Sequence, residues 1–148
     1  MIEELLACAT LLKAGLMSNK EYESVLDALF MKMPENALLL DLEYVSTNMD
    51  KTISIVCRYY EEHSVDFVVF GQSLMDVLRK AYSREGTDLE DFAAKTYAAW
   101  ETLPSAIQIT EPFWTMNYAY EPLFWGDGKQ TRDLYEKMFC FYDEQKNV

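Results

Sequence analysis

His63 is the only histidine in the chain, and it lies between the acids Glu62 and Asp66. In one interpretation it is a general base oriented by Asp66, or a lone metal ligand. In the other it is a polar residue at the end of a helix, where it interacts with the last backbone carbonyl groups. We favour the second interpretation. A Ser-His-Asp or Cys-His hydrolase could use only His63, and the sequence has no Gly-x-Ser-x-Gly elbow. We therefore predict no catalytic residue and no enzyme activity.

Metal binding would need ligands that this sequence supplies poorly. A structural zinc site takes four nitrogen or sulfur ligands, whereas the chain has one histidine and three widely separated cysteines, Cys8, Cys57 and Cys140. Each cysteine has apolar neighbours and none forms a CxxC pair, so we expect buried free thiols in a reducing cytosol. We predict no metal and no cofactor. An all-carboxylate magnesium site is the alternative, drawn from Asp41, Glu43, Asp50, Asp88 or Asp91.

The charge of the chain limits the partners that it can bind. Its 13 basic and 25 acidic residues give a net charge of -12. Binding to nucleic acid through phosphates needs clustered Lys and Arg, and anionic membranes are disfavoured for the same reason. A protein with a basic surface is a favourable partner. Because acids stand where a signal peptide needs basic residues, and no apolar run approaches the roughly 20 residues of a membrane span, we expect a cytoplasmic protein.

Residues 96–128 form the most distinctive part of the sequence. They contain all three tryptophans and three of the four prolines, but no Lys or Arg. Since the prolines divide this stretch, its aromatic residues cannot all share one buried helical stripe. We expect Trp100, Phe113 and Phe124 to anchor the segment, and Tyr118, Tyr120 or Trp125 to be exposed. The predicted partner-binding residues are Glu101, Glu111, Trp114, Tyr118, Tyr120, Glu121, Trp125 and Asp127. A second acidic strip consists of Glu35, Asp41, Glu43 and Asp50.

The hydrophobic spacing predicts an all-α fold. A chain of 148 residues corresponds to one domain, residues 1–148, that is large enough for a core of its own. Apolar residues recur at steps of three and four along most of it. We expect a single compact bundle of six or seven helices, with an irregular aromatic-rich segment near residues 104–128. The predicted helices cover residues 2–14, 19–33, 35–63, 65–84, 88–103 and 130–145, with a short helix after Thr110.

Several helix boundaries follow from capping chemistry. Ser18 and Glu21 have the spacing of a capping box, and so do Thr87 and Glu90. Ser64 is a candidate cap for the helix over 65–84, whose first residues could instead form a short buried strand. The stretch 35–63 fits one long helix, with a break near residues 46–48 as the alternative.

Two hypotheses for the function come from different classes. In the first, the chain is a small acidic protein-binding module of the immunity or antitoxin type, which neutralises a basic, nuclease-like toxin by occluding its active site. In the second, it is a structural or self-assembling helical protein, either a homodimer or a phage-related accessory protein, in which the eight methionines and abundant aromatics form a seam. An enzyme without a recognisable motif is the third possibility.

Overall fold

Helix α1 is the central element of the fold. The computed structural model describes residues 1–146, and in it α1 spans Ile2–Ala14 with eight buried residues between Ile2 and Leu11. A helix that is hydrophobic on nearly all sides must be covered on nearly all sides. Helices α4 (Met49–Glu62), α5 (Phe67–Ser83) and α6 (Leu89–Glu101) pack against it. Gly15 ends the helix in the left-handed conformation with φ of 78°, which glycine adopts without steric cost.

Helix α2, Asn19–Lys32, begins with the predicted capping box. The Ser18 hydroxyl accepts a hydrogen bond from the Glu21 backbone N–H at 3.2 Å, and the Glu21 carboxylate accepts one from the Ser18 N–H at 3.3 Å. Each side chain thus satisfies a backbone donor that the helix leaves unpaired. The helix ends just before Pro34, which cannot continue it.

The stretch from residue 35 to 63 contains two helices, α3 (Ala37–Tyr44) and α4. The break is the one that the sequence offered as an alternative. Thr47 and Asp50 have the spacing of a cap pair there, but the residue that caps α4 is Asn48. Its side-chain oxygen accepts a hydrogen bond from the Lys51 N–H at 3.1 Å. Asn36 caps α3 in the same way, through the Leu39 N–H at 3.2 Å. Asparagine is among the strongest N-cap residues, so two such caps favour two short helices over a single long one.

Aspartates, rather than the predicted hydroxyl residues, cap the next two helices. The first residues of α5 are helical and do not form the short strand that was the alternative. Asp66, and not Ser64, caps this helix, since its carboxylate accepts hydrogen bonds from the Val68 and Val69 N–H groups at 2.9 and 3.3 Å. The predicted Thr87–Glu90 capping box is wrong, because Asp88 caps α6. The Thr87 hydroxyl donates instead to the Ala81 carbonyl at 3.1 Å. A carboxylate also interacts favourably with the positive end of the helix dipole.

The region after α6 consists of short pieces, as its prolines predict. It contains α7 (Ser105–Gln108), α8 (Phe113–Tyr118) and a 3₁₀ helix (Glu121–Trp125). Helices α9 (Gly128–Phe139) and α10 (Phe141–Lys146) follow, so the predicted terminal helix is divided at Cys140. The prediction of a compact all-α fold with an irregular aromatic-rich segment is confirmed. Within residues 1–146, seven of the α-helices have eight residues or more.

A cluster of aromatic rings joins α5, α6 and α9 on one side of the core. The Phe92 and Tyr135 rings meet edge to face with centroids 5.0 Å apart, and Tyr82 contacts both. Aromatic pairs in this geometry contribute about 0.5–1.5 kcal/mol beyond the area that they bury. Across the described residues, none of the helices is both long and apolar enough to traverse a bilayer.

Candidate docking surface

Six aromatic side chains form a continuous line of ring contacts across α6, α8 and the 3₁₀ helix. Successive centroids lie 5.3–6.5 Å apart. These distances fall within or close to the range in which ring pairs attract one another. We call this line the aromatic row. In spatial order its members are Tyr118, Trp114, Trp100, Tyr97, Tyr120 and Phe124.

The aromatic row is partly open to solvent. Phe124 is 78% exposed and Trp114 is 37% exposed. Trp125, next in the chain, is 64% exposed, and Ile109 is exposed as well. Tyr118 is half-buried. A single exposed apolar residue is ordinary, whereas several on one segment mark an interaction site.

Two of the three predicted anchors do hold the segment, and one does not. Phe113 is buried and stacks on Phe70 of α5 at a centroid distance of 5.9 Å. Trp100 is half-buried. Phe124, predicted to be an anchor, is instead the most exposed ring of the row, because Pro122 and Leu123 take the inward positions of the 3₁₀ helix. The exposure expected among Tyr118, Tyr120 and Trp125 is found at Trp125, while both tyrosines are half-buried.

Hydrogen bonds fix the backbone that carries the aromatic row. The Trp100 indole N–H donates to the Gln108 carbonyl at 3.0 Å, and the Gln108 amide donates to the Trp100 carbonyl at 3.1 Å. This reciprocal pair holds α7 against the end of α6. The buried Thr131 hydroxyl donates to the Ala119 carbonyl at 2.7 Å and ties α9 to the end of α8. The exposed rings are therefore mounted on a fixed framework, which lowers the entropic cost of binding.

The acids of the segment have two different roles. Glu101 and Glu121 are exposed and extend into solvent. Asp127 caps α9 through the Gln130 N–H at 3.0 Å, and Glu111 accepts a hydrogen bond from the Thr115 hydroxyl at 2.6 Å. Among the side chains that the structure describes, none of these four acids forms an ion pair. Their charge is thus not neutralised within this part of the fold.

The structure brings together part of the predicted site. Trp114, Tyr118 and Tyr120 belong to the aromatic row, and Trp125 adjoins its Phe124 end. Asp127 and Glu111 have local structural contacts, so they are weaker candidates for partner contacts than Glu101 and Glu121. The prediction omitted Tyr97, Phe124 and Ile109. Only the tertiary arrangement shows that Tyr97 of α6 joins Tyr120, with ring centroids 5.3 Å apart.

The second acidic strip also contains exposed apolar residues. Its members, Glu35, Asp41, Glu43 and Asp50, are all exposed. Between them α3 exposes Tyr44, at 92%, and Leu40, at 48%. No ring contact involving Tyr44 occurs in the described part of the chain. This strip therefore lacks the pre-arranged rings of the aromatic row, and we use it below as a comparison surface.

The groups that the sequence suggested for catalysis and metal binding have local structural contacts. His63 stacks on Tyr59 with centroids 3.7 Å apart, and its Nδ1 lies 2.9 Å from the Tyr59 carbonyl oxygen. This contact fits the interpretation of a polar residue at a helix end, and the Asp66 carboxylate is occupied in capping α5. Over the part of the chain that is described, no three His, Cys, Asp or Glu side chains gather as a metal site would require. Of the carboxylates suggested for magnesium, Asp88 and Asp91 lie together at the start of α6, and no third ligand joins them among the described residues.

The three cysteines have different environments, contrary to the expectation that all are buried. Cys8 is buried in α1, and this burial raises the pKa of its thiol to about 12. Cys57 is exposed on α4. Cys140 is partly exposed, and Arg79 donates a hydrogen bond to its sulfur at 3.3 Å. The apolar neighbours of Cys57 in sequence misled the prediction because they occupy other faces of its helix.

Similarity to known proteins offers no further guide to the role of this surface. No family model, curated protein or solved structure matches the chain. The functional inference therefore rests on the geometry and charge of the aromatic row and its surroundings.

Proposed function

We propose that this protein is an acidic protein-binding module that docks its partner on the aromatic row together with Ile109 and Trp125. The observation that carries the proposal is the exposure of Trp114, Phe124 and Trp125 in a stretch without any Lys or Arg. Tryptophan is enriched among the residues that dominate binding energy, and its large ring loses little conformational entropy on binding. The rings supply contact area, and the surrounding acids select the partner.

The partner that this surface favours is a basic protein. Glu101 and Glu121 are exposed and directly follow Trp100 and Tyr120 of the aromatic row in the chain, and the chain as a whole carries a net charge of -12. Such a charge accelerates encounter with a positive surface and opposes encounter with a negative one. A nuclease active site is basic because it must hold phosphates. The specific form of the proposal is therefore an immunity or antitoxin-type inhibitor that covers the active site of a nuclease-like toxin.

Self-association is the second candidate, favoured by the same exposed rings. Two copies could bury Phe124 and Trp125 against each other, as in a homodimer. Each copy would then bring its own acids to the interface, and like charges placed across an interface are unfavourable. We rank this candidate below a basic partner for that reason.

Photocrosslinking in the native host tests the location of docking. A benzophenone amino acid is placed at Trp125, and the matched control carries it at Tyr44, which is exposed on the second acidic strip. The proposal predicts an adduct from position 125 with a protein of high isoelectric point, and none with that protein from position 44. An adduct of the chain with itself would support the homodimer. Crosslinking of the same partner from both positions would contradict the assigned face.

Binding kinetics with the purified partner then test how the surface works. The double variant Glu101→Lys, Glu121→Lys should slow association by about tenfold or more at low salt. The control Glu61→Lys, Glu62→Lys makes the same change in net charge on exposed residues of α4, and should slow it much less. Trp125→Ala should mainly accelerate dissociation, by about 30-fold if it is a hot spot worth roughly 2 kcal/mol. Equal effects of both charge-reversed pairs would mean that net charge, and not this face, governs association.

A further inference from the structure

A cleft of about 490 Å³ opens between α6 and the 3₁₀ helix. One wall is a stripe on α6 formed by Glu90, Ala93, Ala94 and Tyr97, at the spacing that places residues on the same side of a helix. The other wall consists of Tyr120, Leu123 and Phe124. The short side chains of Ala93 and Ala94 leave space between the larger rings of Tyr97, Tyr120 and Phe124.

The three rings of this cleft are arranged around a space and are not stacked on each other. Tyr97 and Tyr120 meet at an interplanar angle of 71°, with centroids 5.3 Å apart. Tyr120 and Phe124 meet at 83°, with centroids 5.4 Å apart. Rings set nearly perpendicular to one another can present both faces and edges to a shared guest. An aromatic face carries partial negative charge and attracts cations.

The charge that lines the cleft is negative. Glu90 is exposed at its edge and is the one ionised side chain among the described residues that line it. Among the described residues that line the cleft, none is Lys or Arg. Aromatic sides with a single carboxylate form a receptor for a cation that also has a flat apolar surface.

We infer that this cleft receives an arginine side chain from the basic surface of the partner. The inference rests on the proposed function and specifies what the partner must present. A guanidinium group is planar, stacks on aromatic faces and binds a carboxylate through two parallel hydrogen bonds, whereas the compact lysine ammonium is more strongly hydrated. The arginine methylene stem packs on Ala93, Ala94 and Leu123, and its head lies between the rings and Glu90.

Small blocked amino acids test the cleft without any partner. N-acetyl-arginine methylamide is titrated into the full chain, and the backbone amide signals of Ala94 and Leu123 are followed by two-dimensional NMR. We expect saturable shifts with a dissociation constant on the order of millimolar. Blocked citrulline has nearly the same shape without the charge and should bind about tenfold more weakly. Blocked lysine should also bind more weakly than arginine.

Variants locate the binding in this cleft. Glu90→Gln should weaken arginine binding about tenfold, because a charge-assisted pair is lost. Phe124→Leu retains an apolar side chain but removes the aromatic face, and should weaken binding about two- to fivefold. Glu62→Gln, an exposed acid on α4, makes the same charge change as Glu90→Gln and should leave binding unchanged.

Several outcomes would overturn the inference. They are the absence of saturable shifts, equal binding of citrulline, binding of lysine as tight as that of arginine, or indifference to both cleft variants. If the cleft fails in this way while position 125 still crosslinks to a basic protein, the proposed function stands and the arginine site is withdrawn. If arginine binds the cleft but position 125 captures no basic protein, the docking proposal is the one that fails.

Discussion

Replacing Gly71 by Ala gives a direct test of how the terminal helix is seated. Gly71 is buried in α5, and a Cβ built on it would lie 1.7 Å from the Tyr142 hydroxyl oxygen and 2.6 Å from Cζ of that ring. It would also lie 3.0 Å from Cζ of Phe113, at the start of α8. Tyr142 is buried, so its rigid ring cannot simply turn into solvent. The glycine therefore makes room for the tyrosine.

The expected change in the free energy of unfolding is the sum of two opposing effects, helix propensity and overpacking. Alanine is favoured over glycine inside a helix by about 1 kcal/mol. Overpacking a filled core costs about 1–3 kcal/mol. We therefore expect Gly71→Ala to lower the free energy of unfolding by up to about 2 kcal/mol. With Tyr142→Ala already present, only the Phe113 ring, 3.0 Å from the new Cβ, has to move slightly, so Gly71→Ala should lose its destabilising effect and stabilise the fold by up to about 1 kcal/mol.

Urea denaturation followed by circular dichroism at 222 nm measures all four members of this double-mutant cycle. The coupling free energy between the two positions should be about 1–3 kcal/mol. Tyr142→Phe serves as an intermediate, because it removes the nearest atom and leaves the ring. The reasoning is refuted if Gly71→Ala stabilises the fold by the same amount with and without Tyr142, since the glycine would then owe nothing to that contact.

The remaining predictions concern titration, capping and the framework of the aromatic row. Because burial raises the pKa of Cys8 from 9.0 to about 12, its neutral thiol stabilises the fold fully below pH 9, and that stability is lost as pH rises from 9 towards 12. Cys8→Ala should flatten the alkaline fall in unfolding free energy measured in urea, and an unchanged slope would contradict the assignment. In thermal unfolding, Asp66→Ala should lower the free energy of unfolding by about 1 kcal/mol. Ser64→Ala should change that free energy by less than about 0.5 kcal/mol, and the reverse ranking would identify Ser64 as the cap. Gln108→Ala removes the side-chain amide that donates to the Trp100 carbonyl, and it leaves the backbone carbonyl that accepts from the Trp100 indole. It should lower the free energy of unfolding by about 1 kcal/mol, and an unchanged free energy of unfolding would contradict the role assigned to this amide.

The fold class and most helix ends could be predicted because the signals are local. Ser18 and Glu21 interact across one turn, and Gly15 and Pro34 act on their own backbone. The failures have a local origin too, since several polar residues stand near the start of the same helix. The Thr87 hydroxyl bonds the Ala81 carbonyl, six residues earlier, while Asp88 caps α6.

The exposure of aromatic side chains could not be predicted in the same way. Phe113 and Phe124 are chemically identical and both follow closely after a proline, yet one is 3% exposed and the other 78%. The difference depends on which neighbours arrive from elsewhere in the chain, such as Phe70 of α5 beneath Phe113. Pattern alone identified a segment too rich in rings and too broken by prolines to bury them all. The tertiary fold decides which ring is left outside.

The segment between residues 96 and 128 thus contributes to the core and also leaves rings exposed for the docking that we propose. The buried Phe113 fixes α8 on α5, and the Trp100–Gln108 pair fixes α7 on α6. With the backbone held by these contacts, Phe124 and Trp125 need no intramolecular role to be kept in place. Large apolar rings left exposed reduce solubility and favour aggregation unless a partner covers them. The surrounding acids and the net charge of -12 oppose indiscriminate association through electrostatic repulsion. A basic partner would neutralise these charges, whereas a second copy of the chain would add to the repulsion.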